Sequence, residues 1–366
     1  MITFLFFFTI LFWIFINPRN VKSVNRYISL CAILYFIVLG FRSEVIYGDT
    51  YGYVYYFKQL KYFSLSEILE LWEKDRFFWI VSYYLSRLFD GNYVIWLSLI
   101  AFTAIYPITK LIRRYSVEPM FSFVLFVYLG LMFFFMAGLR QTISISFILM
   151  GVLVLLDDNC STKKKYILYS VYVLIAYLFH GSSFVAIFAL LFVNKSLDRK
   201  ALLMYFGVVL LCFLAGRYMM SNIISYMGQY DERYLGYGEN MHGATITYFL
   251  QQFVLIGPSL YFLRKRYNDK GISLLFHFSI IGLICVSLSP IVAEMFRLSY
   301  FFSWANLLLF PYAIQEMRKY DQIYPLFFLM FFILLVVFTI GTNDYYFFFE
   351  DVSHIERHFN ISEYQI

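Results

Sequence analysis

Long apolar runs separated by short polar junctions set the pattern of this chain. Stretches apolar enough to cross a bilayer, or nearly so, fall at 2–16, 27–41, 93–110, 119–138, 140–156, 166–180, 182–193, 201–217, 245–263, 271–289, 293–314 and 323–340. A full crossing prefers about 20 residues, so the shorter ones have soft ends. Twelve helical spans are predicted. One further stretch, "DRFFWIVSYYLSRLF" at 75–89, has helical period but a strongly two-sided face. Counted as a span, it would put every later basic cluster on the opposite side. It reads better as an interfacial or re-entrant helix. Two other polar stretches stand out, 218–244 and the tail 341–366.

Charge orients this pattern. Alternate junctions carry Arg19/Lys22/Arg26, Lys110/Arg113/Arg114, Lys163–Lys165, Lys195/Arg199/Lys200, Arg264–Arg266 with Lys270, and Arg318/Lys319. With twelve spans all of these share one side. The excess of basic residues in cytoplasmic loops then puts both termini and the stretches 42–92, 218–244 and 341–366 outside.

Composition agrees with a membrane protein. Apolar residues make up 61% of the 366 and charged ones 14%, against about 25% in soluble domains. The net charge of +6 comes from junction clusters rather than a basic stripe, which argues against nucleic acid. Cysteines at 31, 160, 212 and 285 are scattered and form no CxxC, so no disulfide framework or zinc site is predicted. The N-terminus lacks a basic n-region and a small-residue cleavage site, and reads as an uncleaved first span. The expected architecture is all-α, a single polytopic transmembrane domain over 1–366.

The costly residues gather at the outer ends of the predicted spans. Arg140, in "FMAGLRQTISISF", is the one charged side chain between Met120 and Leu156. Mid-bilayer it would cost about 2.5–3.5 kcal/mol on insertion scales. A break at Gly138 would instead bring it to the outer surface between two spans. Arg42 ends the second predicted span, and Glu294 and Arg297 open the eleventh. Arg233 follows two acids in the 218–244 stretch. A guanidinium stays charged and its planar fork fits phosphate oxygens bidentately, so Arg42, Arg140 and Arg297 are candidate pyrophosphate ligands. Glu294 and Arg297, three apart, can equally pair with each other, and Arg233 can simply be solvated. His180, at the outer end of a span, can hydrogen-bond a sugar or phosphate, carry a proton, or pack. Asp49, after Gly48 in a tyrosine-rich stretch, is a candidate base or a turn residue. No HExxH, P-loop, GxSxG or DxD motif occurs, so no metal, nucleotide or cofactor is indicated.

These residues carry a resemblance. Gly40-Phe41-Arg42, then Gly48-Asp49-Thr50 with Tyr53 and Phe57, then an acid (Glu73 or Asp75) before Phe77-Phe78, Gly138-Leu139-Arg140-Gln141, His180-Gly181-Ser182-Ser183, and Arg297 with Tyr300 stand in one order. The ordered set resembles the EpsG-like family of bacterial exopolysaccharide proteins, grouped with Wzy-type O-antigen and capsule polymerases. The resemblance implies a GT-C-like integral membrane glycosyltransferase of the bacterial cytoplasmic (inner) membrane. It would transfer a growing undecaprenyl-pyrophosphate-linked glycan onto a new lipid-linked repeat unit at the outer leaflet. Partners would be that lipid-linked oligosaccharide, with a chain-length regulator and a flippase beside it. An O-antigen ligase or another prenyl-phosphate-sugar transferase is the nearest alternative, and a polysaccharide or anion transporter a more distant one.

Overall fold

The computed structural model describes residues 1–229, 246–289, 293–320 and 345–350. Helices dominate the described residues, and no strand occurs among them beyond one isolated bridge between Arg42 and Phe347. The chain divides into two compact units. The first comprises Met1–Tyr115, Phe126–Ile187 and Val336–Ile366, the second Ser116–Leu125 and Phe188–Leu335.

The first unit opens with α1 (Ile2–Ile16) and α2 (Val21–Gly40). Asn20 starts α2 through a reciprocal capping box with Ser23, which satisfies backbone N–H groups left without partners at a helix start. Three helices then fill the stretch expected outside the membrane: α3 (Gly48–Leu60), α4 (Leu65–Leu71) and α5 (Arg76–Leu88). The amphipathic segment is therefore helical. It buries Phe78, Trp79, Ser82, Tyr83 and Ser86 along one stripe. Aromatic packing holds this group together. Phe57 stacks on Trp96 at 4.3 Å, and Trp72 on Trp79 at 4.5 Å.

Next in the chain come α6 (Tyr93–Tyr115), α7 (Pro119–Tyr128), most of which belongs to the second unit, and then α8 (Leu131–Ala137), α9 (Leu139–Leu155) and α10 (Thr162–Phe179) of the first. Gly130, at φ +73°, permits the 51° bend between α7 and α8, so the apolar run 119–138 is one broken element. Gly138 separates α8 from α9, where the sequence placed a break. Helices α9 and α10 approach closely at Gly151, where an added Cβ would lie 2.9 Å from the ring of buried Tyr169. That ring is fixed because Tyr169 Oη donates to Ala186 O at 2.9 Å. G151A is expected to lower stability by about 1–3 kcal/mol, measurable as a thermal shift in detergent.

In the second unit α11 (Arg199–Gly228), α12 (Ile246–Phe262), α13 (Lys270–Leu288), α14 (Ala293–Ser303) and α15 (Asn306–Met317) pack on one another. Gly282 of α13 sits where a Cβ would come within 3.1 Å of the Ser303 backbone. Arg318 pairs with Glu118, and Ser122 Oγ donates to Leu307 O at 2.6 Å.

Among the described residues three helices are long and apolar enough to cross a membrane: α2, α6 and α13. The bent pair α7–α8 makes a fourth. Several expected spans take other forms. The run expected at 182–193 is a 12-residue 3-10 helix, Gly181–Phe192. The run 293–314 breaks at Trp304–Ala305 into α14 and α15. Helix α11 continues to Gly228, so the polar stretch expected from 218 begins later. The run 323–340 lies outside the described residues.

Candidate functional site

The ends of four elements of the first unit meet around one carboxylate. Asp75 is the residue before α5, with φ 54° and ψ 36°, in the left-handed region. A non-glycine residue held there costs about 1–2 kcal/mol, least for Asp and Asn. An aspartate at a helix start ordinarily accepts hydrogen bonds from the first backbone N–H groups. Asp75 makes no such bond. Its carboxylate turns away from its own helix. Oδ2 accepts from Arg140 Nη1 at 2.9 Å and bonds His180 Nδ1 at 2.8 Å. Oδ1 accepts from Gly181 N at 3.1 Å. Two contributions to stability, a relaxed backbone and a cap, are forgone to hold this carboxylate in place.

Local sequence positions each partner. Arg140 lies in the first turn of α9, where the helix dipole disfavours a cation. Asp75 offsets that, and Tyr53 of α3 accepts from Arg140 Nε at 2.8 Å with its ring 5.5 Å from the guanidinium carbon. Among the described residues no partner engages the remaining N–H groups, on Nη1 and Nη2, which form one edge of the fork. His180 ends α10, after which the chain turns into the 3-10 helix. Below it, Ser144 Oγ donates to Ala176 O at 2.9 Å and ties α9 to α10. Phe179 stacks on Phe147 at 5.6 Å and meets Phe77 edge-on at 5.0 Å. Asp49, one turn before Tyr53 on α3, is near enough to interact electrostatically with both Tyr53 and Arg140. The buried Trp79 indole N–H beside this cluster has no hydrogen-bond partner.

Burial pushes the Asp75 carboxyl up, but the hydrogen bond from His180 and then the charges of His180 and Arg140 outweigh it. The net result holds Asp75 below the usual carboxylate range. Burial, against the opposing pull of Arg140, raises the Tyr53 phenol and keeps it protonated. The folded-state value of Asp75 is depressed, so its stabilisation is complete above the unfolded value of about 3.9. It is lost as pH falls through the lower folded value. Thermal stability referenced to D75N should therefore show no Asp75-linked change from neutral pH to about pH 5, and a decline below about pH 4.

Arg42 belongs to the same unit but does different work. It is 2% exposed. Its Nη1 donates to Leu39 O and its Nη2 to Met136 O at 2.8 Å. Thr50 Oγ1 donates to the same Met136 oxygen at 2.6 Å. These carbonyls lie at the C-terminal ends of α2 and α8, where unpartnered C=O groups carry partial negative charge. The guanidinium is thus neutralised by two helix ends. No carboxylate among the described residues lies within ion-pair distance of it. Backbone carbonyls hold Nη1 and Nη2, while the buried Nε has no hydrogen-bond partner among the described residues, so the expected ligand role of Arg42 would have to act through Nε alone.

The other candidates lie in the second unit. Arg297 is exposed on α14, and Tyr300, one turn on, is buried against Phe296 at 5.0 Å. One carboxylate oxygen of Glu294 is buried without a hydrogen-bond partner. Arg233 lies outside the described residues.

Of the expected residues, then, Asp49, Tyr53, Arg140 and His180 are brought together. Asp75 joins them; in the sequence it is marked only as one of two acids ahead of an amphipathic helix. Its signal was that position: an aspartate where a cap belongs, followed at once by "RFFW".

Searches of the curated proteins and of the solved structures return no match. A family model described as the EpsG family matches residues 25–352, taking in every element that builds this cluster. The chain belongs to the EpsG family, a group of polysaccharide-polymerase-like membrane proteins.

Proposed function

We propose that this protein is a glycan polymerase of the bacterial inner membrane, joining lipid-linked repeat units at the outer leaflet. The observation that carries the reading is the convergence of Asp75, His180, Arg140 and Tyr53 from four elements distant in sequence. In the proposed reaction the acceptor sugar's hydroxyl attacks the anomeric carbon of a chain carried on undecaprenyl pyrophosphate. The new bond joins acceptor oxygen to anomeric carbon. The bond that breaks joins that carbon to the pyrophosphate oxygen, which leaves with both electrons.

His180 suits the role of base. With Nδ1 bonded to Asp75, its Nε2 is the nitrogen that takes the hydroxyl proton. Asp75 fixes the tautomer and stabilises the imidazolium that forms. Arg140 presents the open edge of its fork to the leaving pyrophosphate, where negative charge grows during bond cleavage. Asp49 is the competing base. Arg297, with Glu294 and Tyr300 nearby on α14, is proposed as a further pyrophosphate contact, and Arg233 as a secondary one. An outside position for this cluster and for both termini is supported by the charge asymmetry of the basic junctions, taken with the expected twelve spans.

The purified protein should lengthen a lipid-linked oligosaccharide with no ion gradient present, and R140K should keep its place in the membrane but lose most of that activity. Lengthening at the normal rate by R140K would remove Arg140 from the reaction. The bend between α7 and α8 favours one second reading, since broken apolar helices also build transport sites. Gradient-dependent movement of a glycan without its elongation would select it.

A further inference from the structure

The basic end of the first unit holds a cleft of about 430 Å³ between α6, α9 and α10. Lys110 and Arg114 of α6 and Lys164 of α10 form its rim. Asp157, beyond the end of α9, adds one carboxylate and pairs with Arg114 at 3.0 Å. Asp158, next in the chain, also acts on Arg114, so the positive charge of the rim rests on Lys110 and Lys164. The Lys110 ammonium donates to Tyr106 Oη at 3.0 Å and keeps two further N–H groups.

Two more observations point to what fills the cleft. Below the rim its lining turns apolar in helical steps. Val154 and Met150 descend along α9 from Asp157, and Leu168 and Tyr172 along α10 from Lys164. All four are half-buried rather than packed away. The cleft therefore has a charged mouth and a greasy wall running toward the middle of apolar helices. In addition, Lys163 and Lys164 occupy the first turn of α10, at the positive end of its dipole. Cations there oppose helix formation, and an anion at the rim would relieve both terms.

We infer that this cleft binds the head group and upper acyl chain of an anionic phospholipid from the leaflet that meets the basic helix ends. A free phosphate ion would use the rim and leave the apolar wall wet. A zwitterionic lipid would use the wall and gain little from the rim.

The test is native mass spectrometry of the full chain released from nanodiscs of equal phosphatidylglycerol and phosphatidylcholine. The wild type should retain phosphatidylglycerol selectively. K110E/K164E should lose that lipid about five-fold or more while phosphatidylcholine carry-over stays constant. R199E/K200E, equally exposed on α11, should retain it. Glutamate in the first turn of α10 suits the dipole, so folding should survive, and the milder K164Q, with a smaller loss, checks the result independently. Unchanged retention in both cleft variants overturns the proposal. So does equal retention of the two lipids, or displacement of the lipid by inorganic phosphate alone.

Discussion

D75N should abolish chain elongation while leaving the protein folded. The substitution keeps size and shape and removes the charge. Asparagine offers one acceptor oxygen where the carboxylate offered two, and its amide nitrogen must face either Gly181 N–H or the Arg140–His180 side. In the second orientation the amide donates to His180 Nδ1. The proton then resides on Nε2, which turns from base into donor. In the first, Arg140 and His180 keep an oxygen, but no negative charge remains to stabilise an imidazolium. Either way elongation should fall by about 10²–10⁴-fold, the range expected when a base or its orienting carboxylate is lost. The thermal midpoint at neutral pH should fall by the contribution of the lost Asp75 charge, but the protein should stay folded, because asparagine tolerates the left-handed backbone of position 75 as well as aspartate does. Polymer of normal length and yield from D75N would remove this carboxylate from the reaction and leave Asp49 as the base to examine.

R42A should fail in a different way. Its guanidinium fills a buried space and satisfies the carbonyls of Leu39 and Met136. Alanine would leave a cavity and an unpaired Leu39 carbonyl, worth about 1–3 kcal/mol, while Thr50 Oγ1 still donates to Met136 O. The summed loss should reach about 3 kcal/mol or more. The readout is yield of monodisperse protein by fluorescence-detected gel filtration, which should collapse. R42K should recover part of it, since an ammonium reaches one of the two carbonyls without the fork's span. Full yield of R42A with a raised KM for lipid substrate would return Arg42 to the ligand-binding set. The two variants separate an arginine that the sequence marks as a ligand candidate at the end of a predicted span from an acid that it marks only by its place before an amphipathic helix.

That contrast shows what the chain reveals before folding. Hydropathy marks α2, α6 and α13 because each has enough uninterrupted apolar length. It marks the amphipathic α5 because one face is aromatic and the other polar. The break at Gly138 is also readable, from a glycine beside the one arginine of a long apolar run. The 3-10 helix at Gly181–Phe192 and the break at Trp304–Ala305 leave no mark in hydropathy, which reports greasiness and not backbone geometry. The site was half legible. Arg140 and His180 stand out as polar groups at the ends of predicted spans, Asp49 as an acid after a glycine, and Tyr53 through its place in the ordered set of motifs. Asp75 does not, because its value comes from a turn that points it away from its own helix toward residues 65 and 105 positions distant. Arg42 carried the right charge for a ligand but met two helix ends first. No periodicity reports a long-range bond to a carbonyl.

The bridge between Arg42 and Phe347 bears on how such a protein is tagged. Ser43 N donates to Tyr346 O at 2.8 Å, Phe348 N to Phe41 O at 3.0 Å, and Tyr345 Oη to Val38 O at 2.6 Å. Reporter fusions joined upstream of Tyr345, the usual way to map sidedness, would delete these partners beside the Arg42 strut. Such truncations would report on a weakened scaffold, whereas epitopes inserted after Glu350 would leave the clasp closed.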